Sequence, residues 1–201
     1  MNEATVVDLI RHGEPVGGKM YRGHRDDPLS AKGWQQMRDA IGDHTPWQVI
    51  VSSTLVRCRA FAEEVALRVG VPLEFEPQLM EIGFGEWEGR TAEDILRTDP
   101  DAITRFWNDP LRFTPTGAER LDDFYLRVAA AWRAVVARHT GKHILLVGHA
   151  GVIRMIMREV LDIPLERIFR IDVPNAGITR IQIDGTGKDA LPRMIFHAGV
   201  L

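Results

Sequence analysis

The sequence predicts an α/β fold: a three-layer α/β/α sandwich around a mostly parallel central sheet, with a helical lid inserted into it. Short apolar runs of strand length alternate with amphipathic stretches of helical period, the pattern of a parallel sheet covered on both faces. Three of those runs end in small residues with a histidine or an arginine close by. In an α/β sheet such tips share one edge, outside the carboxyl ends of the strands, where ligands bind.

Val6, Val7, Leu9 and Ile10 read as the first buried strand, ended by Arg11-His12-Gly13-Glu14. Ser30 caps a helix that carries Trp34, Met37, Ala40 and Ile41 on one side. Val49, Ile50 and Val51 form a second strand ending in Ser52-Ser53-Thr54. The helix over 55–69 follows it and is stopped by Gly70 and Pro72. Leu73–Phe75 is a short strand. Thr91 with Asp94 forms a capping box for a brief helix, and Asp99 before Pro100 caps another with proline at its first position. A long amphipathic helix over 121–136 leads to the strand 143–147. Gly148-His149-Ala150-Gly151 then turns into a helix starting Val152-Ile153-Arg154, and 178–183 and 194–197 are closing strands.

At 201 residues, 45% hydrophobic and 26% charged, with no compositional break, the chain predicts one domain over 1–201. A net charge of −3 with scattered Lys and Arg gives no reason to expect nucleic acid. No basic, apolar leader opens the chain and no run is long enough for a bilayer, so a cytoplasmic protein off the membrane is expected. Cys58 is the single cysteine, which excludes an internal disulfide and fits a reducing compartment. It reads as a small packing residue.

The chemistry lies at the tips. Arginine offers a fixed fork of donors to phosphate oxygens, and a neutral imidazole attacks phosphorus without a base to activate it. Gly13 lets the backbone turn sharply beside a ligand. His149 sits in a matching context, where small neighbours suit a strand-to-helix turn with free N–H groups facing an anion. Arg57 and Arg59 diverge on a helix, so at most one faces the pocket. In the glycine-rich loop 79–89, Leu79 and Met80 partly desolvate Glu81, and such a carboxyl beside phosphate tends to hold a proton that it can give to a leaving oxygen. Glu86 and Glu88 read as solvated acids. The segment 84–119 is the lid. Of its adjacent Phe106 and Trp107 one is core and the other not, and Trp87 is expected to face substrate.

Two histidines and a glutamate suggest zinc by residue type alone, but no His-Glu-x-x-His pattern occurs, and neither metal nor cofactor is expected. His24 lines the pocket mouth on this reading, while His44, His139, His143 and His197 are surface or strand-end residues.

Together, the four segments around His12, Arg57, Glu81 and His149 resemble the histidine phosphatase superfamily over nearly the whole chain. Within it, Tyr21-Arg22-Gly23-His24, Pro28-Leu29-Ser30, Gly33, Gln35, Gln36 and the stretch from Glu81 to Gly89 are most similar to the α-ribazole phosphatases of cobalamin biosynthesis. The resemblance implies that His12 is the nucleophile, Glu81 the proton donor and His149 the second pocket histidine, with Arg11 and Arg57 as phosphate ligands. Gly13, Arg22, His24, Trp87 and Ala150 complete the expected substrate-binding set, and Arg11, Arg57 and His149 are expected to supply fixed positive potential. The implied activity is metal-independent hydrolysis of a small phosphorylated metabolite through a phosphohistidine, with α-ribazole 5′-phosphate as a named candidate. A phosphoglycerate mutase-type transfer and a silent phospholigand-binding domain are the alternatives. Mutases of this family usually carry longer tails, so a chain ending at Leu201 favours hydrolysis. Retention of all five pocket residues argues against a silent domain. A homodimer is left open. The chain departs from the family pattern at Pro15, Thr54, Phe61 and Arg120, which bears on substrate identity because loops beside the pocket are where such changes act.

Overall fold

The computed structural model describes residues 4–199 and Leu201. Its centre is a six-stranded sheet: β1 (Thr5–Arg11), β2 (Val49–Ser52), β3 (Leu73–Phe75), β4 (His143–Gly148), β5 (Ile178–Asp184) and β6 (Leu191–Gly199), in the order β3-β2-β4-β1-β5-β6. The four strands from β3 to β1 run parallel, while β5 and β6 add antiparallel at one side. The sheet is thus mostly parallel, as expected.

Period-two alternation sorts the side chains of the central strands into two layers. Val7, Leu9, Val49, Val51, Ile144 and Leu146 point to one face, covered by α5 (Leu121–Arg138) and α6 (Ala150–Leu161). Ile10, Ile50, Leu145 and Val147 point to the other, covered by α1 (Ala31–Ile41) and α2 (Val56–Val69). With both faces covered, these strands read as continuous apolar runs. Complete burial of each such Leu or Ile contributes about 1.5–3 kcal/mol. Local signals agree with the tertiary ones. The Ser30 side chain accepts from the Gly33 N–H at the start of α1. Gly70 closes α2 at φ 75°, a left-handed position that costs glycine little.

The inserted segment holds α3 (Ala92–Thr98) and α4 (Ala102–Asn108), and its two ends are tied together. The Glu119 N–H donates to the Gly83 carbonyl at 2.9 Å and the Glu86 N–H to that of Thr116 at 3.0 Å. Thr91 and Asp94 form the expected capping box. Asp99 does not cap α4. It is the C-cap of α3, and its carboxylate accepts from the Asp101 N–H and pairs with Arg105, so a turn through Pro100 delays the next helix to Ala102. His139 also departs from expectation. It is 4% exposed, beneath the C-terminus of α5, with Nε2 3.3 Å from a Glu74 oxygen. Among the described residues no helix is long and apolar enough to cross a membrane.

One charge lies inside the sheet. Asp8 is fully buried on β1 and accepts from Arg180 Nε at 2.7 Å, His143 Nε2 at 2.8 Å and Trp47 Nε1 at 2.9 Å. Burial works to raise this carboxyl, but the bonds from His143, Arg180 and Trp47 outweigh it and hold it at about 2, against 3.8. A folded-state value below the unfolded one means stabilisation that is complete above pH 4 or so and lost as pH falls through about 2, worth about 2 kcal/mol. Asp8→Asn is therefore expected to lower unfolding stability at pH 7 by about 2 kcal/mol or more, with the deficit shrinking towards pH 3. Urea titrations of both proteins across that range check it; an equal deficit at both ends would contradict the account.

Candidate active site

The carboxyl ends of β1, β2 and β4 meet because Arg11 pairs with Gly148 and Ser52 with Val147 across the sheet. Just beyond, the His12 N–H donates to the Gly148 carbonyl at 2.9 Å and the Ser53 N–H to that of Val147 at 3.1 Å. His12 and His149, distant in sequence, thereby stand edge to face with ring centroids 5.3 Å apart.

His12 is 6% exposed, and its Nδ1 lies 2.7 Å from the Gly13 carbonyl. A carbonyl only accepts, so Nδ1 carries the proton and Nε2 keeps its lone pair. Burial, then Arg57 and Arg11, push the imidazole well below its ordinary value, which leaves it neutral at pH 7. Gly13 serves this loop through space: a Cβ there would stand 2.1 Å from the Gly33 carbonyl oxygen. Only a bare backbone fits between the loop and the start of α1.

His149 is the N-cap of α6 and is completely buried, with Nε2 2.7 Å from Ser53 Oγ. Cys58, buried as expected, also lies over it, with Sγ 3.6 Å from Nε2. Burial and the nearby Arg57 hold His149 well below its usual value as well. The expectation that it supplies positive charge is thus corrected: a ring removed from water beside an arginine stays neutral and serves as a hydrogen-bonding group. Ala150 directly follows it as the first residue of α6.

Arg57 is 1% exposed; its Nη1 donates to the Arg25 carbonyl at 2.7 Å and its Nη2 to that of Gly23 at 2.8 Å. Arg59 points outward, as helical divergence requires, near Glu63. Arg11 Nη1 donates to the Val173 carbonyl at 2.6 Å. Among the described residues, the Nε groups of Arg11 and Arg57 are buried without a partner, as are His139 Nδ1 and Arg158 Nε elsewhere in the fold.

Glu81 completes the cluster from the loop after β3. Its carboxyl accepts from the Ile82 N–H at 3.1 Å and from the Gly151 N–H at 3.2 Å, so the N-terminus of α6 holds this side chain. Its backbone is fixed too. The exposed His24 reaches it, with Nε2 2.9 Å from the Glu81 carbonyl. Arg127 on α5 donates to the carbonyls of Gln78, Met80 and Glu81 and twice to Glu119. Those five bonds use all five donors of its guanidinium. One side chain thus joins the Glu81 loop to the base of the inserted segment.

Arg22 lies near His12; its Nε donates to Asp27 and its Nη2 to the carbonyls of Val16 and Gly18, which fixes the side chain, while among the described residues Nη1 takes no partner. Two expectations fail on geometry, those for Glu88 and Trp87. Glu88 is not a solvated acid; one of its oxygens accepts from the His24 and Phe84 N–H groups, both at 3.0 Å. Trp87 is 5% exposed and packs edge-on against Tyr21 and Phe106 in the inserted segment's own core. The cleft it borders, lined also by Glu86, Arg90 and Phe113, includes none of His12, Arg57, Glu81 and His149. An apolar surface of that size is buried where other aromatics offer contact. Phe106 is core beside it while Trp107 is 37% exposed, as their adjacency requires.

The model for the histidine phosphatase superfamily (branch 1) matches residues 7–192, a span that includes every residue of this cluster. The chain belongs to that superfamily. A bifunctional protein of Mycobacterium tuberculosis is 28% identical over 202 residues, 98% of this chain but 55% of that protein, so the chain spans about half the length of this first relative. The adenosylcobalamin/α-ribazole phosphatase of Escherichia coli is 30% identical over 82% of this chain and 84% of its own. Among solved structures, YhfR of Bacillus stearothermophilus superposes with a TM-score of 0.89 at 30% identity, covering 98% of both chains.

Two residues of this superfamily member escape sequence reasoning. Asn175 Nδ2 donates to the His12 carbonyl at 3.0 Å, and its turn composition, Pro174-Asn175-Ala176-Gly177, is the signal available. Arg127 looks like any charged residue of an amphipathic helix, and nothing in sequence marks it.

Proposed function

We propose that this chain is a metal-independent phosphomonoesterase that hydrolyses a small phosphorylated metabolite through a phosphohistidine at His12. The observation that carries the reading is the His12 bond to its neighbouring carbonyl, which fixes the tautomer with a free Nε2 inside a pocket bearing Arg11 and Arg57. Membership of the superfamily and the likeness to phosphatases support it.

In the first half-reaction Nε2 of His12 attacks phosphorus in line. The N–P bond forms, the P–O bond to the alcohol breaks, and the departing oxygen takes a proton from the Glu81 carboxyl. In the second, the Glu81 carboxylate takes a proton from water as the water oxygen attacks phosphorus, and the N–P bond breaks to release inorganic phosphate and neutral His12. Arg11 and Arg57 place fixed charge beside the equatorial oxygens, whose charge grows in the transition state. His149, held by Ser53, orients the pocket as a neutral donor. The α6 N-terminus places Glu81 without consuming its carboxyl, since each oxygen keeps a lone pair.

We place the reaction in the cytoplasm, in keeping with the lone, buried Cys58. The test is phosphate release from EDTA-treated protein offered α-ribazole 5′-phosphate, 3-phosphoglycerate, sugar phosphates and p-nitrophenyl phosphate. Rapid release from at least one is expected; silence on all would overturn the reading.

A further inference from the structure

Arg154 stands on α6 three residues after Gly151. The Gly151 N–H holds one Glu81 oxygen, and a Cβ built on Gly151 would meet the other at 2.2 Å, so this face of α6 is turned to the Glu81 carboxyl. Residues three apart share a helix face, and helical side chains lean towards the N-terminus. The Arg154 side chain therefore projects alongside Glu81. Its Nε donates to the Ile171 carbonyl at 2.8 Å, and its guanidinium carbon lies 5.7 Å from the centre of the Phe169 ring. That anchorage fixes the fork, yet among the described residues Nη1 and Nη2 take no partner. The side chain is half-buried, and its charge is felt at Arg11.

Glu81 marks the side of the phosphorus from which the alcohol departs, so a cation beside it meets the leaving group and not the transferred phosphoryl. A guanidinium with one nitrogen anchored and two free matches a planar carboxylate or a phosphate in a bidentate manner. We propose that Arg154 is a leaving-group site that binds a second anion, a carboxylate or a phosphate, carried by the alcohol portion of the substrate. This rests on the reading of His12 as nucleophile and Glu81 as proton donor, and it favours acid-bearing monoesters over α-ribazole 5′-phosphate, whose alcohol bears no anion.

The test uses matched pairs: 3-phosphoglycerate against glycerol 3-phosphate for a carboxylate, and glucose 1,6-bisphosphate against glucose 6-phosphate for a phosphate. Wild-type protein is expected to favour the acid-bearing member of at least one pair in kcat/KM by about tenfold or more, the scale of a hydrogen bond to a charged group. In Arg154→Gln that ratio is expected to fall by about the same factor, and Arg154→Lys, which keeps the charge without the fork, to retain part of it. Which pair responds distinguishes carboxylate from phosphate. No preference in the wild type, or an equal ratio in wild type and Arg154→Gln, overturns the proposal while the phosphatase reading stands. Absence of phosphate release by wild type on every compound overturns both. Thermal melting of each variant separates lost recognition from lost folding.

Discussion

Replacing His12 by alanine is expected to abolish turnover, lowering kcat by more than about a thousandfold on every phosphomonoester the wild type accepts. No other neutral imidazole takes its place, because the His149 ring is bonded to Ser53 and packed under Cys58. An alkaline, denaturing quench of the wild type during turnover should trap an acid-labile, base-stable phosphoryl group that His12→Ala lacks. Near wild-type turnover in a folded His12→Ala protein would refute the assignment. The fold should survive the change, since the side chain makes one bond, to its own neighbour's carbonyl.

Arg57→Ala is expected to cost roughly a hundredfold to a thousandfold in kcat, the usual loss when one preorganised donor to a developing oxyanion is removed. A second effect adds to it. Arg57 holds the carbonyls of Gly23 and Arg25, and His24 between them bonds the Glu81 carbonyl, so the deletion loosens the proton donor along with the phosphate cradle. Arg57→Lys should recover charge but not the two carbonyl ties, leaving a clear part of the loss in place. Steady-state kinetics on p-nitrophenyl phosphate and on an alkyl phosphate check this. An alkoxide needs the donated proton more than a nitrophenolate does, so the alkyl substrate should suffer more, and equal losses would argue against the link to Glu81.

The layers of the fold are legible in sequence because period-two apolar runs and capped amphipathic stretches report directly on burial. Val7 and Leu9 face one layer, Ile10 the other. Ser30, Gly70 and the Thr91–Asp94 box end or begin their helices through local chemistry alone. The site is legible to the same depth, since His12, Arg57 and His149 sit at strand tips or at the start of the following helix. What sequence does not display is where a side chain's bonds go. Glu88 has the residue type of a solvated acid, yet tertiary contacts spend one of its oxygens on loop backbone. Trp87 has the surface of a substrate wall, but its partners Tyr21 and Phe106 come from distant segments and enclose it. His139, at the end of α5, is buried for the same reason: Glu74 meets it from β3, far away in sequence.

The position of β1 between β4 and β5 has a consequence during biosynthesis. The carbonyl of His12 is held by Asn175, 163 residues later in the chain, and both strands flanking β1 belong to the last third. At ribosomal rates of about 5–20 residues per second, the nucleophile's strand waits roughly 10–30 s for its neighbours. During that interval Val7, Leu9 and Ile10 have no sheet to enter, and both backbone edges are open to other chains. Holdase chaperones that cover such nascent apolar strands should therefore raise the soluble yield of this protein more than they raise its final stability.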